Sequence, residues 1–307
     1  MKMATRQAIT RRMACCVGWA LLSGVITGCS SSTTSAATPV SKSASKSASK
    51  SASTSATTSR SPTSRAAAHT VRDGQLVVSG TATEARLRRV ASDARTAVGR
   101  VREIWGSSVL TGPVHIEVPA DEAGFRAQGG SAEPGAQVAA TTTAAGRVVL
   151  SPALFTQVTG QGVVVVLTHE LTHVALHQAG DRALARWVVE GSAEFTAYRS
   201  TGLGLPRLAP QLAAAVRSGD LPTGPPSDAR FRSAPQSAYQ EAYAWCAFLV
   251  ERFGTARFTG FVRSADTGEH ADFAAAFGTS TGSLRQPFQR FLRTQVAAGS
   301  TAPPAGS

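Results

Sequence analysis

Residues 163–178 read VVVVLTHELTHVALHQ, and this stretch decides the fold. Four valines and a leucine precede the first histidine, so the sequence predicts a central helix that is buried on most of its faces. His169 and His173 are four positions apart, which on a helix places both imidazoles on one face. Two histidines and the intervening Glu170 would destabilise a buried helix unless they had partners. The stretch therefore predicts a polar site in the middle of the molecule.

The histidine pair has the spacing of a metal site. Neutral imidazole is a good zinc ligand, and two ring nitrogens one helical turn apart can converge on one ion. Glu170 is directed beside such an ion rather than at it, where it can take a proton from a water that the metal activates. The alternative is a pair of helix histidines satisfied by ordinary hydrogen bonds.

The following segment supplies a carboxylate. Residues 187–195 read WVVEGSAEF and are predicted to lie on a second helix, about 182–199, that returns antiparallel after a short turn near Gly180. Glu190 is flanked by tryptophan and valines, an unsuitable place for an unpaired acid, and a metal would account for it. Glu194 lies one turn later, where it could orient a ligand histidine through its other ring nitrogen. A solvated or capping role for Glu194 is the alternative.

The pattern HExxH followed by WxxEGxA resembles the gluzincin (peptidase MA-like) group of zinc metallopeptidases. The resemblance covers about residues 163–255 and is most specific over 167–195. It implies Zn²⁺ as cofactor, peptide or protein as substrate, and Glu170 as general base and proton shuttle. It also implies three protein ligands to the zinc ion, with water as the fourth: His169, His173 and Glu190.

Two other candidates for the third ligand are weaker. A metzincin pattern would need glycine at position 176 and histidine at 179, but the chain has Leu176 and Ala179, which excludes that pattern. His177 follows His173 by four positions, but a ligand one turn further along a helix would point away from the first. We therefore expect His177 to lie at the surface or behind the ligands.

Peptide hydrolysis also needs a donor to the oxyanion that forms when water attacks a carbonyl. A tyrosine at a similar place downstream has this role in the enzymes that the chain resembles. Tyr239 is the first candidate and Tyr243 the second, both near the start of an apolar helix predicted over 236–253. The alternative is that both rings pack in that helix.

The predicted fold class is α+β, with a small mixed sheet and a helix in the N-terminal part, a mainly helical C-terminal half, and the zinc site between them. Strands are predicted at 75–78, 113–118, 137–140 and 147–150, with a helix over 82–104. By analogy with the group that the chain resembles, the last strand is expected to form the edge of the cleft and to pair with an extended peptide. Further helices are predicted at about 208–217, 236–253, 255–264, 269–277 and 281–297.

The N-terminal region has the pattern of an exported lipoprotein. Basic residues precede an apolar run over 13–26, and residues 26–29 read ITGC, which resembles a bacterial lipobox. Residues 1–28 are thus predicted to be a signal peptide, and Cys29 the acylated residue that anchors the chain outside the cytoplasmic membrane. The alternative is an ordinary signal peptide that contains a cysteine. Residues 29–66 are a Ser/Thr/Ala/Lys tether, 67–297 the folded domain and 298–307 a disordered tail.

The charge of the domain excludes a basic nucleic-acid-binding protein, and its cysteine content excludes a zinc site made of thiolates. Residues 1–65 carry nine of the 31 Lys and Arg and no Asp or Glu. The remainder, with 22 basic and 19 acidic residues, has a net charge of only +3, so the domain is not a basic nucleic-acid reader. Cys246 is the one cysteine in the predicted domain, which is too few for a thiolate zinc site. Its apolar surroundings predict a buried, inert thiol.

Together these features predict a zinc metallopeptidase that hydrolyses peptide bonds at the extracytoplasmic surface, attached to the membrane through its lipid. The alternative function is a non-catalytic, zinc-containing surface module for binding or assembly. Glu170 favours the enzyme, because a purely structural zinc site has no need of a general base. No sequence feature sets an oligomeric state.

Overall fold

The computed structural model describes residues 67–130, 138–179, 184–266 and 273–301, together with the backbone of residues 15–18. Apart from residues 15–18, the predicted signal peptide lies outside these ranges. Cys29, the tether up to residue 66 and the last six residues of the predicted tail also lie outside them.

The fold is α+β, as the sequence predicted: a small mixed sheet in the N-terminal part is followed by a mostly helical C-terminal half. The strands are β1 (Cys15–Gly18), β2 (His69–Asp73), β3 (Leu76–Gly80), β4 (Val114–Glu117), β5 (Val138–Thr142) and β6 (Val148–Leu150). The helices are α1 (Glu84–Trp105), α2 (Glu122–Ala127), α3 (Leu154–Gln157), α4 (Gly160–Ala175), α5 (Arg186–Arg199), α6 (Leu205–Leu208), α7 (Pro210–Ser218), α8 (Asp228–Ser233), α9 (Pro235–Phe253), α10 (Thr255–Asp266), α11 (Phe273–Phe277) and α12 (Arg285–Thr301).

The strand order corrects one expectation about the cleft. The order is β1-β5-β6-β4-β3-β2, with β3, β4 and β6 parallel to one another and the other neighbours antiparallel. Strand β6, expected at the edge, lies between β4 and β5, and all three of its residues are buried. The two edge strands are β1 and β2, and β5 lies between β6 and β1.

Helix α1 has a capped first turn and packs through the apolar side that its sequence pattern predicts. The side chain of Thr83 accepts a hydrogen bond from the amide of Arg86 and so caps the first turn. Apolar residues recur along one side from Leu87 to Trp105 and are buried. That side packs on β2, β3 and α4, whereas the opposite side exposes arginines such as Arg88.

Helix α4 owes its stability to its surroundings. Valine and threonine are weak helix formers, and the stretch before the histidines contains four valines. The whole span from Gly162 to His173 is nevertheless buried, packed against α1, α5 and β5. The hydroxyls of Thr168 and Thr172 donate to the carbonyls of Val164 and Thr168, 2.7 and 2.8 Å away, so neither is left unpaired. Burial thus offsets the poor propensity.

Most predicted helices are present with shifted ends. The second helix begins at Arg186 rather than near 182, and α12 continues to Thr301, four residues into the predicted tail.

Cys246 is buried, and burial raises the pKa of its thiol, as expected for an inert packing cysteine. None of the helices in the described ranges is long and apolar enough to cross a membrane.

Candidate metal centre

Three side-chain atoms from α4 and α5 converge at one point. The Nε2 atoms of His169 and His173 are 3.0 Å apart, and Oε2 of Glu190 lies 3.5 Å from the first and 3.7 Å from the second. Four-residue spacing brings the two imidazoles to one face of α4, and the packing of α5 on α4 brings in the carboxylate. The structure therefore joins the three residues that the resemblance implied as ligands.

The dimensions of this cluster fit a metal ion. Zinc–nitrogen and zinc–oxygen bonds of about 2.0–2.1 Å in a tetrahedron separate the donor atoms by about 3.4 Å. The three measured separations, 3.0, 3.5 and 3.7 Å, bracket that value. Oε2 of Glu190 is buried and has no hydrogen-bond partner among the residues that the structure describes, a state that a bound cation would relieve. His169, His173 and Glu190 could thus hold a metal ion.

The electrostatics also favour a cation. Glu170, Glu190 and Glu194 are 0%, 3% and 3% exposed, so three carboxyl groups share one buried region. Burial raises the pKa of Glu194 well above its usual value, and the neighbouring Glu190 and Glu170 raise it further. Carboxyl groups crowded in this way cannot all ionise without added positive charge. A divalent ion at the three donor atoms would supply it.

Each imidazole is also in contact on its far side. Nδ1 of His169 lies 3.5 Å from Oε1 of Glu194, which is longer than a good hydrogen bond but places the carboxyl where it was predicted to orient the ring. Nδ1 of His173 lies 3.1 Å from Oε1 of Gln178. Burial, together with the nearby His169, lowers the pKa of His173 to about 4, so its imidazole is neutral at pH 7. Neutral imidazole is the form that binds metals.

The end of α4 explains how Gln178 reaches His173. Hydrogen bonds join the amide of His177 to the carbonyl of Val174 and the amide of Gln178 to the carbonyl of His173. These are the two bonds of a Schellman motif, whose turn residue adopts a left-handed conformation. His177 occupies that position with φ 53° and is exposed, so it points away from the cluster and is not among the ligands.

Glu170 lies beside the cluster, toward the sheet. Its Oε2 accepts a hydrogen bond from Oγ1 of Thr142 at the end of β5, whereas Oε1 is buried and has no hydrogen-bond partner within the described parts of the chain. Burial raises the pKa of Glu170 to about 8, an effect that the hydrogen bond from Thr142 partly opposes. A carboxyl with one oxygen held and the other unpaired suits a group that exchanges a proton.

Arg186 holds the second oxygen of Glu190. Nη2 of Arg186 lies 3.7 Å from Oε1 of Glu190, one turn further along α5. Burial alone would raise the pKa of Glu190, but the imidazoles of His169 and His173 and the Arg186 guanidinium outweigh it and lower the pKa. With Oε1 engaged by arginine, Oε2 is left facing the histidines.

The two candidate tyrosines lie one turn apart on α9. The ring of Tyr239 is buried against Phe231, which also packs beneath the guanidinium of Arg186. Burial raises the pKa of Tyr243 to about 12, with a smaller contribution from the Glu194 carboxyl, and the ring of Tyr243 lies edge-on to Tyr198.

Four supporting residues were not identified from the sequence. Gln178 contacts His173, and Arg186 contacts Glu190. Thr142 contacts Glu170, and Ser192 accepts a hydrogen bond from Gln178. Arg186 precedes Glu190 by four positions, a helical spacing that could have indicated the pair. No comparable signal marks Gln178 and Thr142, because a left-handed turn and a strand bring them to the cluster.

The chain matches no protein-family model, and no curated protein is significantly similar to it in sequence. Support for a function therefore comes from the geometry of these residues.

Proposed function

We propose that this chain is a zinc-dependent peptidase of the gluzincin type that acts outside the cytoplasmic membrane. The observation that carries the proposal is the presence of two different kinds of carboxyl at one buried cluster. Glu190 directs an oxygen at both histidines, whereas Glu170 lies beside them with one oxygen unpaired. A structural zinc site needs the first arrangement alone, and hydrolysis needs both.

His169, His173 and Glu190 would hold the ion. When bound, zinc supplies the Lewis acidity that makes water nucleophilic at neutral pH and the positive charge that offsets the buried carboxyls. Glu170 then receives the proton at Oε1 and delivers it to the leaving amine. Thr142 holds the other oxygen of Glu170 and keeps the carboxyl in place during both transfers.

Tyr239 remains the proposed donor to the oxyanion. Its ring packs against Phe231, Arg186 covers the same phenylalanine, and Arg186 in turn contacts Glu190. These contacts link Tyr239 to Glu190 through two intervening side chains, which supports Tyr239 as the first candidate and Tyr243 as the second.

Strand β5 is the strand beside the proposed site, because Thr142 at its end contacts Glu170. An extended peptide that pairs with the outer side of β5 would carry its amide bonds past Glu170. Residues 15–18 pair with that side in this chain, and they belong to the predicted signal peptide that export would remove.

The proposed location follows from Cys29 as the acylated residue and the tether as a spacer. A fatty-acid label should enter the wild-type chain but not Cys29→Ala. The variant should also be released from the membrane fraction. Labelling of both chains would contradict the anchor.

Glu170→Gln tests the proposed chemistry. The amide keeps the size of the side chain but cannot take up the proton, so zinc content should stay near one ion per chain while peptide hydrolysis falls about 10²- to 10⁴-fold. The exposed Glu84→Gln on α1 is the matched control and should retain full activity. A wild type without zinc by elemental analysis contradicts the proposal at its base. Zinc without cleavage of a broad peptide library favours the non-catalytic surface module.

A further inference from the structure

The contact between Gln178 and His173 belongs to a longer chain of hydrogen bonds. Nε2 of Gln178 donates a long hydrogen bond of 3.5 Å to Oγ of Ser192, and Oγ of Ser192 donates to the carbonyl of Val189 at 3.0 Å. All the side chains involved are buried, with Gln178, Ser192 and His173 each 0% exposed. The chain therefore connects the end of α4 to the interior of α5.

Hydrogen-bond chemistry fixes the direction of this chain. A serine hydroxyl has one proton, and here that proton is committed to Val189, because a carbonyl can only accept. Toward Gln178, Ser192 can then only accept, so the NH₂ group of Gln178 must face Ser192. The carbonyl oxygen of Gln178 consequently faces His173, whose Nδ1 must donate the proton.

We propose that Gln178 and Ser192 act as a relay that fixes His173 in the Nδ1-protonated tautomer, leaving the lone pair of Nε2 directed at the metal. The inference rests on the proposed metal site and concerns positioning, because neither residue contacts the proposed substrate or ion. Two neutral side chains thereby orient His173, whereas an acid, Glu194, contacts the corresponding atom of His169.

The position of Gln178 is held from its backbone as well. Its amide donates to the carbonyl of His173, so both ends of Gln178 are tied to the same residue. Ser192 is held in turn through its carbonyl, which accepts from the hydroxyl of Thr196 at 2.7 Å. Thr196 itself accepts from the indole of Trp105 at the end of α1. The relay thus belongs to a buried, hydrogen-bonded part of the core.

The relay predicts a specific pattern among variants. Gln178→Leu removes the acceptor and should lower zinc affinity about 10- to 100-fold. Ser192→Ala removes the group that orients the amide and should lower zinc affinity in the same direction. Gln178→Glu has an acceptor at both oxygens, so unlike Gln178→Leu it should keep the zinc affinity of the wild type. In the Gln178→Glu background, Ser192→Ala should have no effect, because a carboxylate needs no orientation.

Two measurements on the full chain test the relay, and neither depends on peptide hydrolysis. Zinc affinity is measured by competition with a chelator. The tautomer of His173 is read in the metal-free protein from long-range ¹H–¹⁵N correlation spectra, assigned with His173→Asn. The expected result is the Nδ1–H form in wild type and Gln178→Glu, and a mixture or the Nε2–H form in Ser192→Ala and Gln178→Leu.

Gln240→Leu is the matched control, because Gln240 is an equally buried glutamine whose oxygen accepts from the amides of Gln211 and Leu212. It should lower stability but leave the tautomer and zinc affinity unchanged. Wild-type spectra with the Nε2–H form, or equal losses of zinc affinity in Ser192→Ala and Gln240→Leu, would overturn the relay. Because Gln178→Leu also perturbs packing in the core, Ser192→Ala decides the matter. Absence of zinc binding in the wild type would count against the proposed function, and the tautomer would still report on the relay.

Discussion

His177 is the residue at which the chain leaves α4, and its backbone is left-handed at φ 53°. For residues other than glycine this conformation costs roughly 1–2 kcal/mol, and asparagine tolerates it better than β-branched residues do. The conformation brings Gln178 back to His173. We infer that His177 contributes through its backbone, and that its exposed imidazole is dispensable.

Substitution of His177 separates these two roles. His177→Asn should keep the turn, and both the free energy of unfolding and the zinc content should stay at wild-type values. His177→Val should lower the free energy of unfolding by about 1–2 kcal/mol, because a β-branched residue is strained at positive φ. Urea unfolding and elemental analysis measure the two quantities. Loss of zinc from His177→Asn would instead identify His177 as a ligand.

Gly191, next to the proposed ligand Glu190, lies at a close approach of helices α5 and α9. A Cβ atom at this position would lie 2.8 Å from Sγ of Cys246 and 3.0 Å from the carbonyl oxygen of Ala242. Both distances are shorter than ordinary van der Waals contact. The glycine of the WxxEGxA pattern therefore has a packing role here, since it lets α9 lie directly against the helix that carries Glu190.

Gly191→Ala tests this helix contact. Overpacking a close-packed core by one methyl group typically costs about 1–3 kcal/mol, and we expect that loss in the free energy of unfolding. Cys246→Ala removes Sγ but not the carbonyl of Ala242, so the double variant should recover part of the loss. The two single variants and the double variant form a cycle measured by urea unfolding. Strict additivity would contradict a direct clash between positions 191 and 246.

Long elements with strong periodicity were predictable from the sequence, and short ones were not. Helices α1, α4 and α9 contain several turns with apolar residues on the buried side, and each was predicted within a few residues of its ends. Helices α2, α3, α6 and α8 have four to six residues, too few to establish a period. Strand β2 is largely exposed and lacks the alternation of a half-buried strand.

The sequence indicated the proposed ligands and one support, Glu194, but not Thr142 or Gln178, and the reason is physical. His169 and His173 lie on one face of one helix, so their spacing alone brings them together. Glu190 reaches the two histidines through the packing of only one further helix, α5, against α4. Thr142 reaches Glu170 through the position of β5 in the sheet, which depends on strand order, and strand order was also the reason that β6 was wrongly expected at the edge.

At the scale of the whole molecule, the cluster joins elements that the chain must otherwise hold together by packing. His169 and His173 belong to α4, Glu190 to α5, and Glu170 is tied to the sheet through Thr142. An ion bound by both helices would favour the folded chain, because the unfolded chain does not present these ligands together. It would also relieve the crowding of three buried carboxyls.

Zinc should therefore raise thermal stability. At a free zinc concentration about 100-fold above the dissociation constant, linkage gives about 2.7 kcal/mol, which corresponds to a rise of about 5–10 °C in Tm for a domain of this size. Calorimetry of the chelator-treated protein, before and after zinc is added back, measures the rise. Glu190→Gln should abolish it by removing one of the three ligands. Glu241→Gln alters a partly buried acid that pairs with Arg230 on the neighbouring α8, and it should leave the rise intact. If zinc raised the Tm of both variants equally, the ion would bind elsewhere on the chain. Both variants keep the histidines and cysteines outside the cluster, so such a second site would be unchanged in both.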